Sequence, residues 1–205
     1  MQHPVAAPRT DTRSRVQKVA LELFAEQGYE KTSLREIAER LGVTKAALYY
    51  HFKSKEDIVH SLTDDHYAQI DELIEWAKAQ PSSEQRRREI LDRYVRIVFG
   101  GAEVFRFIEQ NRAAMQAMEQ SKGDRLARFR SRLDALVELL AGPDAPVRQR
   151  VRATAALITA SATCHVVWDE ADPAELQSIA LEIAADLIGL YQSTGAGRVM
   201  GPFTS

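Results

Sequence analysis

Between Thr32 and Lys55 the chain reads TSLREIAERLGVTKAALYYHFKSK, a stretch that compresses three helix starts, one glycine turn and an aromatic-basic cluster. Ser33 followed by Glu36 is a capping box, in which the serine takes the N–H of the third residue and the acid reaches back to the cap. A helix is expected to start there. Leu34, Ile37, Ala38 and Leu41 recur at helical spacing, and Gly42 follows the last of them, where a left-handed turn is least costly for glycine. Val43 can fill the angle between two helices, and Thr44 can cap a second, short helix carrying Lys45, Ala46, Tyr49 and Tyr50. Two helices joined by so tight a turn leave few folds open.

At about 100° per residue, Lys45, Ala46, Tyr49 and Tyr50 share one half of the short helix, and Ala47 and Leu48 the other. One half is expected to pack and the other to face a partner. Lysine and two tyrosines make a poor buried surface but suit a duplex, because ammonium and hydroxyl groups reach phosphates. A small Ala46 lets the backbone approach base edges or a thymine methyl. Past the helix, His51 can donate to a phosphate. Ser54 with Asp57 reads as a further capping box with Lys55 as the first helical residue, and a helix N-terminus bearing a lysine is an anion site. Each fragment alone is ordinary helix punctuation; their order together points to DNA.

At these residues the sequence resembles the TetR family of bacterial transcriptional regulators. The resemblance runs from Arg15 to about Ile58 and rests on Ala20, Leu23-Phe24, Gly28-Tyr29, Thr32-Ser33, Ile37-Ala38, Gly42-Val43, Leu48-Tyr49, His51-Phe52 and Lys55. It implies that Ser33 and Arg35 lie against the DNA backbone at the start of the second helix. It also implies that Thr44, Lys45, Ala46, Tyr49 and Tyr50 belong to the recognition helix, and that His51 and Lys55 clamp phosphate. The rest of the chain matches that family only in the number and order of its helices.

The net charge of −2 at first argues against a nucleic-acid partner. Residues 1–60, however, carry 10 Lys and Arg against 8 Asp and Glu, and the remainder 17 against 21. The DNA reading therefore depends on the placement of Arg35, Lys45, His51, Lys53 and Lys55 more than on totals. Arg9, Arg13 and Arg15 can add a flexible arm toward the duplex, or form part of a solvated tail. A single cysteine, Cys164, excludes an internal disulfide and suits a reducing compartment. With no apolar run long enough for a bilayer and no signal-peptide order at the start, a soluble cytoplasmic protein is expected.

The apolar periodicity predicts an all-α chain of about nine helices. Residues 1–11 read as a disordered leader, 12–58 as the helix-turn-helix domain, 59–193 as a helical effector-binding and dimerisation domain, and 194–205 as a flexible tail. Asp11 or Thr12 is expected to cap the first helix, which ends at Gly28. A long helix runs from the Ser54 cap to Pro81, linking the two domains. Further helices are expected over Ser83–Phe99, Ala102–Gln120, Asp124–Ala141, Ala145–Asp169 and Pro173–Ser193. The last two combine a small-residue run, Ala153 to Cys164, with a stripe of Leu176, Ile179, Ala180, Ile183, Ala184, Leu187, Ile188 and Tyr191. Packed against a second copy they would make a two-fold four-helix interface, and the resulting homodimer would read a palindrome.

Polar residues inside apolar stripes suggest an enclosed site for a small apolar or amphipathic effector. His66, Asn111 and His165 are the orienting groups, with Tyr94, Phe107, Met115, Phe129 and Trp168 around them. Most such residues in proteins are simply satisfied core. The implied function is a regulator, most simply a repressor released by its effector; a DNA-binding regulator without an effector is the alternative. No enzyme is expected: Asp64-Asp65-His66, Cys164-His165 and Asp169-Glu170 are neighbours in sequence that point different ways on a helix. Metal-ligand spacings, a phosphate loop and a nucleophile elbow are all missing. No cofactor or metal is called for.

Overall fold

Glycine turns and polar caps cut the chain into helices, and the computed structural model describes residues 9–111, 125–166 and 172–190. Among the described residues there are nine helices and no strand: α1 (Arg9–Gln27), α2 (Leu34–Leu41), α3 (Lys45–His51), α4 (Lys55–Ala79), α5 (Glu84–Gly100), α6 (Ala102–Gln110), α7 (Arg125–Ala141), α8 (Val147–Val166) and α9 (Pro173–Leu187).

The first three helices and the start of α4 share one core. Val16, Ala20, Leu23 and Phe24 of α1 close over Ile37 and Ala38 of α2, Leu48 of α3, and Ile58 and Val59 of α4. These are the residues that helical spacing selects, and each large one contributes about 1.5–3 kcal/mol by leaving water. A second core gathers Ile90, Leu91 and Val95 of α5 with Leu136 and Leu140 of α7, Leu157 of α8 and Ala180 and Ala184 of α9. With 25 residues, α4 is about 37 Å long and belongs to both cores, since Ile70, Leu73, Ile74 and Ala77 lie in the second. It is the beam between them.

Several expected boundaries shift. Helix α1 starts at Arg9, earlier than a cap at Asp11 or Thr12 allows, so residues 9–11 are helix and not leader. Arg13 and Arg15 therefore sit on a helix, and Arg13 pairs with Asp65 at 3.8 Å and lies over the Phe52 ring; the flexible-arm expectation fails for both. The block expected over Ala102–Gln120 is helical to Gln110, and residues 112–120 lie outside the described residues. At the end of the chain, α9 stops at Leu187 and not at Ser193. Gly189 takes φ 73°, its N–H donates to the Asp186 carbonyl, and the N–H of the buried Leu190 reaches back to Ala185. That is a Schellman closure, and only glycine enters its left-handed turn without strain. Arg152 completes it by donating to the carbonyls of Asp186 and Leu187, and Arg88 by donating to Leu190, placing two cations at the negative end of the helix.

The small-residue run of α8 also has a use other than the one expected. Ala153, Ala156, Ala160 and Cys164 are buried inside the subunit, where α8 packs extensively against α9. The apolar side chains left exposed are Val147, Val151 and Ile158 on α8 with Ile179 and Ile183 of the expected stripe on α9, between 41% and 78% exposed.

At the joint of α5 and α6, Gly101 meets the buried His66 of α4. A methyl group built on Gly101 would stand 2.5 Å from His66 Nδ1, so the imidazole occupies the space any other residue would need. Phe105 flanks the ring edge-on at 4.7 Å. Gly101→Ala is expected to lower the unfolding free energy by about 1–3 kcal/mol through overpacking, with His66→Ala in the same chain recovering part of the loss. Urea unfolding of the parent, both single variants and the double variant reads that coupling; additive losses would mean that the contact does not set the joint.

Candidate nucleic-acid interface

Two closures hold α2 and α3 at a fixed angle. At the start of α2, the Glu36 N–H donates to Ser33 Oγ at 3.2 Å, while the Ser33 N–H and hydroxyl both donate to the Glu36 carboxylate at 2.7 Å. Those bonds hold the Glu36 carboxyl below its ordinary value. At its end, Gly42 adopts φ 72° and the Val43 N–H donates to the Ala38 carbonyl at 3.0 Å. Thr44 then caps α3 by accepting from the Ala47 N–H at 3.2 Å. Both turns follow the pattern read from the sequence.

Helix α3 is anchored by Leu48, which is fully buried, with Phe52 buried just beyond it. Thr44, Lys45, Ala46, Tyr49 and Tyr50 are all exposed, Tyr50 by 66%. Ala47, expected on the packing half, is exposed as well. So short a helix needs only one anchor plus its flanking Phe52, which leaves the remaining faces to solvent. Lys45 holds its ammonium 5.4 Å from the centre of the Tyr49 ring, and the Tyr50 ring meets His51 edge-on at 5.3 Å. Lys53 donates to the Tyr49 carbonyl at 2.9 Å, placing a second cation at the end of the same helix. Ser33 and Arg35 also stand exposed at the start of α2, Arg35 paired with Glu39 at 2.7 Å.

Lys55 has a different setting from the one expected. Its ammonium donates to the Tyr29 carbonyl at 2.8 Å and lies 4.3 Å from the centre of the Tyr29 ring, while the Tyr29 hydroxyl donates to Glu56 at 2.8 Å. Burial first, and then the Glu56 carboxylate, push the Tyr29 hydroxyl up from its ordinary value, so it stays a donor. The first turn of α4 carries Glu56 and Asp57, whose charges oppose an incoming anion. The expected capping box is also half formed: Ser54 accepts from the Asp57 N–H, but the Asp57 carboxylate accepts from the Lys53 N–H. Lys55 fastens the α1–α2 turn to α4, a role with no local sequence signal because Tyr29 lies 26 residues away.

Of the residues expected around an effector, the described ones meet different neighbours. Tyr94 is buried between α5 and α8, donating to the Leu157 carbonyl at 3.4 Å, and burial pushes its hydroxyl up to about 12. Asn111 turns its amide back onto the Phe107 carbonyl at 2.8 Å, closing α6. Phe129 is 45% exposed. His66 is enclosed against Gly101 and Phe105, and burial pushes its imidazole down to about 4, so it is neutral near pH 7. Phe107 lies in the first core, stacked on Phe24 at 5.0 Å. Met115 and Trp168 lie outside the described residues, as does the side chain of His165. Cys164 is buried with its thiol pushed up to about 11, the setting of an unreactive thiol.

A feature missed from the sequence is a cleft of about 550 Å³ between α1 and α6, with Leu62 of α4 and Phe107 among its walls. Gln17 stands at its edge, buried, donating to Ser61 at 2.9 Å and to Asp65 at 2.5 Å. Among the described residues no helix is long and apolar enough to cross a membrane.

Residues 17–62 match the family model described as bacterial regulatory proteins, tetR family. A similar relative is the HTH-type transcriptional regulator AcrR of Shigella flexneri, 44% identical over 63 residues, 31% of this chain and 29% of that protein. The HTH-type transcriptional activator FasR of Mycolicibacterium smegmatis is 28% identical over 108 residues, 51% of this chain and 48% of its own length. The chain thus matches half or less of the length of either relative. A TetR-family transcriptional regulator from Marinobacter aquaeolei VT8 has the same fold, with a TM-score of 0.65 at 20% identity over 89% of this chain and 92% of that one.

Lys55→Met is expected to lower the unfolding free energy by about 1–2 kcal/mol, because a cation over a ring and its carbonyl bonds are lost together. Lys45→Met should leave it unchanged. Denaturant unfolding checks both; equal stability of the two variants would mean that the Tyr29 contact does not fasten the turn.

Proposed function

We infer that this chain, whose N-terminal domain belongs to the TetR family of bacterial regulatory proteins, is a transcriptional regulator that binds a palindromic operator as a homodimer and is released by a small effector. The outward face of α3 carries this reading. Lys45, Ala46, Tyr49 and Tyr50 stand exposed on a helix fixed by Leu48 and Phe52, which is what a groove-entering element needs. Lys45 and Tyr50 reach base edges or phosphates, Ala46 gives the helix close approach, and Thr44, Ser33, Arg35 and His51 meet the backbone on either side. Lys55 supports these contacts by holding the α1–α2 turn.

A single reader of this size binds weakly, and the apolar ridge supplies a second. Val147, Val151 and Ile158 of α8 and Ile179 and Ile183 of α9 are exposed apolar side chains whose burial against a second copy removes them from water. Two readers held about 34–36 Å apart, or a multiple of that, meet successive major-groove faces. Repression is the direct outcome, since an occupied operator excludes other proteins from the same DNA. The effector acts by linkage: whatever binds the released state better must weaken operator binding by the same free energy.

Selection of bound sequences from a random duplex pool is expected to return an inverted repeat, and Lys45→Ala to alter the preferred half-site; no enrichment at low salt would remove the reader. Ile158→Glu is expected to give monomers in sedimentation and to weaken operator binding about tenfold or more, since the avidity of two linked half-sites is lost. A dimer that persists would place the interface elsewhere.

A further inference from the structure

We propose that Gln17 of α1, with Ser61 and Asp65 of α4, is a positioning clasp that fixes the angle between the reading domain and α4, and with it the half-site separation the protein accepts. The proposal rests on the regulator reading above and adds to it the device that aims the reader.

Gln17 is 7% exposed and Ser61 4%, so the clasp is closed off from water on that side. Gln17 Nε2 donates to Ser61 Oγ at 2.9 Å and to Asp65 Oδ2 at 2.5 Å, which uses both amide protons. The Ser61 hydroxyl gives its own proton to the Ile58 carbonyl at 2.7 Å, leaving its oxygen to accept. Turned over, the Gln17 amide would set its carbonyl against a carboxylate and against a hydroxyl whose proton is already placed. Only one arrangement satisfies every group.

The first core around these helices is held by apolar contacts, which have no preferred direction. The clasp supplies one. Its two acceptors belong to successive turns of α4, so a slide of α1 either way along α4 lengthens one of the two bonds. Arg13, one turn before Gln17, stands 3.8 Å from the other Asp65 oxygen and lies over the ring of Phe52, the buried residue that ends α3. Asp65 precedes His66, which is pressed against Gly101. A short length of α4 thus meets both the reader's anchor and the joint of α5 and α6. In a dimer, an added base pair carries one half-site about 3.4 Å further along the duplex and about 35° round it. Readers held at one angle cannot follow.

Nitroxide labels at Lys31→Cys in the reading domain and Ala79→Cys at the far end of α4, both exposed sites, report that angle without DNA. Labelled chains are diluted with unlabelled protein, and the buried Cys164 thiol stays unmodified. Pulsed electron paramagnetic resonance is expected to give one narrow distance for the parent. Asp65→Asn should keep it, because the amide oxygen still accepts from Gln17 and the exposed pair with Arg13 is weak. Gln17→Met retains the volume but loses both bonds, and is expected to broaden the distribution with thermal unfolding nearly unchanged; Asp65→Ala, at an exposed site, should broaden it less. Equal widths in the parent, Gln17→Met and Asp65→Ala, or an Asp65→Asn distribution as broad as that of Gln17→Met, would overturn the proposal. On duplexes carrying the selected inverted repeat, the parent is expected to lose about tenfold or more in affinity when the centre is one base pair longer or shorter, and Gln17→Met about threefold or less. Affinity for a single half-site should be the same in both. A weaker single half-site in Gln17→Met would mean that the bonds only support the reader's core, and ends the positioning role. A protein that binds no duplex but shows the narrow and broadened distances retains the clasp and loses the regulator reading, while one whose spacing penalty is equal in the parent and Gln17→Met retains the reading and loses the clasp.

Discussion

One aromatic stack joins the two halves of this molecule. Phe107 belongs by sequence to the helices of the C-terminal part, yet its ring lies on Phe24 among the residues that hold the reader together. The first core is small, and Phe107 packs against both members of its aromatic pair, Phe24 and Tyr29. The contact makes the reader's interior depend on where α6 sits. Since α6 departs from a joint at which Gly101 is pressed against His66 of α4, the position of the stack is set by α4 and α5 together.

Much of the reader was legible because its determinants are local. Ser33 with Glu36, Gly42, and Thr44 before a short helix act within a few residues of one another, and each closes as its spacing requires. The same holds for the start of α6 at Ala102 and of α9 at Pro173, both expected and both found. The Lys55–Tyr29 contact was not legible for the opposite reason. Its position fits a phosphate contact, but a long flexible side chain can reach Tyr29, and no nearby residue announces that partner. Gly189 was available as a stop signal; the apolar residues beyond it concealed the end of α9.

The described residues of the expected effector set meet neighbours that the sequence does not announce, for a different cause. Helical spacing assigns a residue to a face, but not to the neighbour that the face will meet. Tyr94, Phe107, Asn111 and His66 each lie on the faces expected, yet they meet α8, α1, their own helix and the α5–α6 joint respectively. Likewise the small residues of α8 do permit close approach, but the approaching helix is within the same subunit. The cleft between α1 and α6 escaped notice because it is made of ordinary amphipathic residues, and its only signature is that two stripes do not fully close.

The ridge on α8 and α9 carries a consequence in mass action. An isolated chain must keep five branched aliphatic side chains wet, and pairing relieves that cost. On the proposed reading, in which two chains must meet before two half-sites can be held, the population able to grip DNA grows with the square of chain abundance while chains are scarce. Modest changes in synthesis or turnover are thereby steepened into larger changes in occupancy.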